Sequence, residues 1–164
     1  SQGIVSANRD DLNPIKQNAL QFTNLEGIDG SCSDAMNNSD IFIGLSLGNI
    51  VSQGMVSSMN QDPIVFAMAN PTPEIMPSEA LEAGAKVVGT GRSDFPNQIN
   101  NSLAFPGIFR GLLDIRATAV TTSMKIAASE AIAGLITEPT VDLIIPSTLD
   151  ERVVPAVSEA VKSA

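Results

Sequence analysis

The stretch IFIGLSLGNIVSQGMVSSMNQDPIVFAMANPTPEIMPSEALEAGAKVVGTG, residues 41–91, decides the fold. It contains three short apolar runs: IFIGLS at 41–46, PIVFAMANP at 63–71 and AKVVGTG at 85–91. Wholly apolar runs of this length, closed by Gly, Ser, Asn or Pro, fit strands buried on both faces. Between them, residues 52–59 and 77–83 are helix-compatible. Pro77 stands where a first helical turn tolerates proline, and Gly84 stands just past the end. Strand, helix, strand, helix, strand at this spacing predicts an α/β fold, a parallel sheet with crossover helices.

Working outward, residues 13–22 predict a helix with Pro14 in its first turn, and the SCSD of 31–34 resembles a capping box opening a short helix. Beyond Asn100 the strands thin out and helices take over. Met124, Ala127, Ala128, Ala131, Ile132 and Leu135 recur at three- and four-residue spacing, one apolar face of a helix over about 122–136. Residues 142–146 form a short apolar run, and 155–162 predict a terminal helix. There is no internal repeat and no long linker.

With 164 residues, one domain is expected. Eighteen acidic against nine basic residues give a net charge of −9, the wrong sign for a nucleic-acid partner. The single Cys32 cannot form an internal disulfide, and a reducing cytoplasm is the expected location. No apolar run reaches the roughly 18 residues that span a bilayer, so no membrane association is expected. The chain has no His, Tyr or Trp. Its own chemistry is therefore confined to carboxylates, four lysines and backbone groups, and a triad or a histidine metal site is excluded within it.

Ligands of an open parallel sheet bind beyond the carboxyl ends of its strands. That rule selects three loops: 44–49, 70–74 and 89–101. They bring Gly44, Ser46, Gly48 and Asn49, then Asn70, then Gly89, Gly91, Asn97, Gln98, Asn100 and Asn101 to one edge. Each has a purely structural alternative: turn glycines at 44 and 48, a loop Asn-Pro at Asn70, and a helix cap at Asn100 and Asn101. A helix starting near Ser102 would aim free N–H groups at an anionic ligand, with Pro106 forcing a kink or a later start. Of the charged groups nearest this edge, Arg92, Asp94 and Glu74, either carboxylate is a candidate general base or metal ligand, with a solvated loop carboxylate as the favoured reading. Lys86 falls at the amino-terminal, wrong end of its strand. No GxGxxG phosphate fingerprint is present.

The segments RDDLNPIK, FIGLSLGNI, DPIVFAMANPTPEI, LDIRAT, DERVVPAVSEAV and, most specifically, GTGRSDFPNQINNSLAFPGIFRG resemble the malic enzyme family in its short bacterial form. The likeness covers essentially all of residues 1–164. It implies the carboxyl-terminal portion of a malic-enzyme NAD(P)-binding domain, a partial Rossmann-like sheet followed by a helical region. It also implies oxidative decarboxylation of malate to pyruvate with NAD or NADP and a divalent Mg or Mn ion. By motif, Asn70 resembles an asparagine near nicotinamide and substrate, and Asn100, paired with Asn101, a substrate-carboxylate contact. Gly44, Ser46, Gly48 and Asn49, with Asn70, match the surroundings of the dinucleotide.

In that family the tyrosine and lysine acid–base groups, the metal carboxylates and the glycine-rich loop precede the stretch that begins at Ser1. The acidic residue on the cofactor ribose is expected just before Ser1. Ser1 and Gln2 bring no positive charge to a ribose phosphate, which leans toward NAD; Arg9 is the one side chain that would oppose this. The chain is thus expected to be a piece of a larger, homo-oligomeric enzyme, a dimer, inactive alone, with its partners the amino-terminal part and malate or pyruvate. The alternative is a free-standing, non-catalytic nucleotide-binding or regulatory module. A start codon just before Ser1 favours the second; a source protein near twice this mass favours the first.

Overall fold

β2, Ile64–Ala67, is the middle strand of a three-stranded parallel sheet, flanked by β1, Ile41–Gly44, and β3, Val87–Thr90. The register pairs Ile41 with Ile64 and Ile64 with Val87, and Gly44 with Ala67 and Ala67 with Thr90. All three strands therefore end level with one another. The computed structural model describes residues 3–164. The apolar runs extend past the strands because their last residues, Ser46, Asn70 and Gly91 among them, belong to the loops of the carboxyl edge.

Short helices precede and cross the sheet: α1 Pro14–Ala19, α2 Cys32–Met36, α3 Gln53–Ser57 and α4 Pro77–Glu82. Their ends follow the cap chemistry of the sequence. Asn13 Oδ1 accepts the Lys16 N–H at 2.9 Å, Ser31 N–H donates to Asp34 Oδ2 at 2.7 Å, and Ser52 Oγ accepts the Met55 N–H at 3.3 Å. Gly84, just past α4, adopts φ +105°, a conformation that favours glycine. Val56, Met59, Ile75 and Ala80 pack with Val65, Ala67 and Val88 into one core beneath the sheet.

Burial of β1 on both faces is not what the structure shows. Ile41 is 52% and Ile43 61% exposed, and β1 is an edge strand with no partner on its outer side among the described residues. Helices cover the sheet on the face of Val65 and Ala67. Periodicity reports the apolarity of a strand but not which of its faces this chain itself covers.

The second half is helical: α5 Phe105–Asp114, α6 Thr122–Ala133 and α7 Val153–Ser163. Leu103, Met124, Ala128, Val153, Val157 and Val161 form its core, with Ile132 and Leu135 packed against it, so the helical face of 122–136 points inward as its spacing predicts. α5 approaches α7 closely because Gly107 and Gly111 lack side chains. A Cβ on Gly107 would stand 2.5 Å from Val157 Cβ, and one on Gly111 2.8 Å from the Ser158 carbonyl oxygen. Residues 142–146 form a turn region rather than a strand, with Thr140 bridged to Leu143. Among the described residues no helix is long and apolar enough to cross a membrane.

Candidate functional site

The three loops converge as the topology requires. Asn70, Asn100 and Asn101 line one cleft of about 500 Å³ together with Leu45, Met68, Gly91 and Ile99. A second cleft of about 440 Å³ is lined by Asn70, Pro71, Arg92, Asp94, Gln98 and Asn100 among others. The Asn70–Pro71 peptide bond is cis.

Asn100 stands at the start of a single 3-10 turn, Asn101–Leu103, and its Oδ1 accepts the Ser102 N–H at 3.0 Å. Its Nδ2 donates to the Gly91 carbonyl at 3.2 Å. A side-chain amide carries two N–H groups, so one donor is left for a ligand in the cleft. Capping and ligand binding are thus compatible at this residue, not exclusive. The α-helix itself starts later than Ser102: α5 opens at Phe105 with Pro106 in its first turn, where the missing N–H would have had no partner anyway. A three-residue turn brings little dipole to the cleft, so the anion attraction expected of a helix start at Ser102 is not provided there.

Two polar residues of the edge turn out to be internal. Asn97, expected to present its amide to a ligand, is buried. Its Nδ2 donates to the carbonyls of Val88 at 3.0 Å and Val141 at 2.8 Å, and its Oδ1 accepts the Ile144 N–H at 3.0 Å. It pins β3 to the 141–144 turn. Glu74, read from the sequence as a solvated loop carboxylate, is 0% exposed. The Ser46 N–H donates to its Oε1 at 2.7 Å and the Ala69 N–H to its Oε2 at 3.0 Å. A buried carboxyl is tolerated because backbone donors replace water.

The glycines of the first loop serve this packing. A Cβ on Gly44 would sit 2.5 Å from Glu74 Cδ, and one on Gly48 2.7 Å from both Thr72 Cβ and the Thr72 carbonyl oxygen. Asn49, at φ 60°, donates its backbone N–H to the Pro73 carbonyl at 3.0 Å. Ser46 faces a third cavity of about 540 Å³, lined also by Gly3, Ser31, Cys32, Leu47 and Ile50. Leu47 and Ile50 escaped the sequence reading because they look like ordinary apolar loop residues. Their exposure, 71% and 44%, together with their place on this cavity wall is what brings them to notice.

The charged groups near the edge are paired. Arg92 donates to Asp94 at 2.8 and 2.6 Å, which holds that carboxyl below its ordinary range. Asp94 is solvated, as expected. Lys86 lies before β3, at the far end from the loops, 4.0 Å from Asp62. Arg9, the one side chain that would oppose the reading of Ser1 and Gln2, closes on Asp11 with contacts of 2.6 and 2.7 Å and on the Gly3 carbonyl at 2.9 Å. Ser1 and Gln2 lie outside the described residues. Among the described residues no group of three or more Cys, Asp or Glu side chains comes together to hold a metal ion.

The family model described as the NAD-binding domain of malic enzyme matches residues 1–162. A bifunctional malic/malolactic enzyme of Bacillus subtilis is 54% identical over 167 residues, covering 100% of this chain and 41% of that protein. An NADP-dependent malic enzyme of Rhizobium meliloti is 46% identical, covering 80% of this chain and 20% of that protein. The crystal structure of an NAD-dependent malic enzyme from Thermotoga maritima superposes with a TM-score of 0.92 at 43% identity, covering 99% of this chain and 43% of that one. The chain therefore spans well under half the length of these relatives.

Proposed function

The chain belongs to the malic enzyme family, and from that premise we propose that residues 1–164 are the carboxyl-terminal portion of its NAD(P)-binding domain. The parent activity is oxidative decarboxylation of malate to pyruvate and carbon dioxide, with a dinucleotide accepting hydride. This portion holds and orients the dinucleotide and one end of the substrate. The acid–base groups and the Mg or Mn ligands are supplied by the amino-terminal part of the same enzyme, and the assembly is a cytoplasmic homodimer. The observation that carries this reading is the convergence of Asn70, Asn100 and Asn101 on one cleft beside the loop of Ser46.

Three kinds of residue divide the work. The spare N–H of Asn100, with Asn101, donates to the malate or pyruvate carboxylate. Asn70 lies between the two clefts and orients the nicotinamide against the substrate. The loop of Gly44, Ser46, Gly48 and Asn49 lines the dinucleotide, and the apolar cavity of Leu47 and Ile50 accepts its adenosine end. Closure of Arg9 on Asp11 leaves it unavailable to a 2′-phosphate and favours NAD over NADP.

Cys32 lines that same cavity and is exposed, which supplies the test. In the full-length enzyme, iodoacetamide labelling of the Cys32 peptide is followed with and without ADP-ribose. At ten times the dissociation constant, occupancy slows labelling roughly tenfold. An unchanged labelling rate at saturating ADP-ribose would contradict the placement of the adenosine.

A further inference from the structure

Glu74 has no part in the chemistry described so far, yet it is fully buried at the junction of the two loops on which that reading rests. One carboxyl oxygen accepts the Ser46 N–H at 2.7 Å and, at longer range, the Ser46 hydroxyl at 3.4 Å; the other accepts the Ala69 N–H at 3.0 Å. Ser46 belongs to the cofactor loop, and Ala69 immediately precedes Asn70. The backbone of the same residue continues the link, because the Glu74 carbonyl accepts the Val51 N–H at 2.9 Å. Among the described residues no lysine or arginine pairs with Glu74; its carboxyl is held by the two loop backbones and occupies the space a Cβ on Gly44 would need. An apolar side chain would fill the same space without the cost of burying a carboxyl, but it would leave the Ala69 and Ser46 N–H groups without their acceptor. What the carboxyl supplies and an apolar group does not is a fixed distance between two backbone donors.

We propose that Glu74 is a positioning residue: it clamps the Ser46 loop to the Ala69–Asn70 strand end, so that occupancy of the cofactor loop sets the place of Asn70. The inference rests on the proposed cofactor and substrate roles of these loops. A single carboxyl bridging both loops makes them one rigid unit, and hydride transfer is sensitive to displacements of the order of 1 Å.

Glu74→Gln in the full-length enzyme keeps the size but presents only one oxygen, leaving an NH2 group against one of the two N–H donors. The expected result is a fall in kcat of about 10- to 100-fold with the ADP-ribose dissociation constant nearly unchanged. Glu74→Asp, shorter by one methylene, retains an intermediate kcat. A lowered melting temperature with wild-type kcat would reduce Glu74 to a structural residue and overturn the proposal.

Hydrogen exchange on the unmodified full-length enzyme gives the same answer without depending on a folded variant. ADP-ribose lacks the nicotinamide ring and so does not reach Asn70 itself. The proposal expects ADP-ribose to slow exchange in residues 44–49 and also in 67–73. Slowing confined to 44–49 overturns the clamp while leaving the cofactor placement intact. No slowing in 44–49 overturns the cofactor placement, and the clamp with it.

Discussion

Asn100 is tied to Gly91: its Nδ2 donates to the Gly91 carbonyl at 3.2 Å, while its Oδ1 caps the turn through the Ser102 N–H at 3.0 Å. The two roles of this side chain are carried by different atoms, so substitutions can separate them. In the full-length enzyme Asn100→Asp keeps the capping oxygen but removes the donor and adds a negative charge facing a carboxylate substrate. Its kcat/KM for malate is expected to fall by at least roughly 10- to 150-fold, and its melting temperature falls as well, because the lost donor also held the Gly91 carbonyl, which then faces a carboxylate oxygen. Asn100→Ala loses both functions and costs about 1 kcal/mol of stability in addition. Steady-state kinetics and thermal melts on both variants check this; wild-type kcat/KM in the Asp variant would reduce Asn100 to a cap.

Asn97 predicts the opposite pattern. Its three internal hydrogen bonds leave no atom for a ligand, and removing them strands the buried Val88 carbonyl and leaves the part-buried Val141 carbonyl and Ile144 N–H without their partner. Asn97→Ala is expected to cost about 2–4 kcal/mol in urea unfolding, with malate KM nearly unchanged in the protein that remains folded. A stability loss under about 0.5 kcal/mol, the scale of ordinary surface substitutions, would contradict the role assigned to it.

The open edge of β1 leads to a prediction about association. Unpaired N–H and C=O groups beside exposed Ile41 and Ile43 make a template for another strand. The isolated 164-residue chain is expected to sediment as associated species, and co-expression with the amino-terminal part of the enzyme is expected to suppress this. A stable monomer at micromolar concentration without any partner would contradict it.

What the sequence revealed and what it hid follow one physical division. Local chemistry was legible: Pro77 and Gly84 bracket α4, Pro14 opens α1, the SCSD box opens α2, and the runs at 41, 63 and 85 become the three strands. The carboxyl-edge rule brought Asn70 and Asn100 together from residues thirty apart in the chain, as found. Long-range polar contacts were not legible. Glu74 is buried by backbone donors 5 and 28 residues away, and Asn97 by partners up to 47 residues away, and neither separation leaves a local signature. The exposure of the Ile41 and Ile43 side chains was likewise hidden, because an apolar run looks the same whether the cover of its faces lies in this chain or in another.

The central claim, that these residues hold ligands for a reaction whose acid–base and metal groups lie elsewhere in the enzyme, is tested most directly by assaying the isolated chain. Purified residues 1–164 are mixed with malate, Mn and either NAD or NADP, and reduced cofactor is followed by absorbance alongside the full-length enzyme. The account predicts no rate above the protein-free blank for the isolated chain, since it contains no tyrosine or histidine and its described residues assemble no metal-binding cluster. Sustained formation of reduced cofactor by the isolated chain would contradict it.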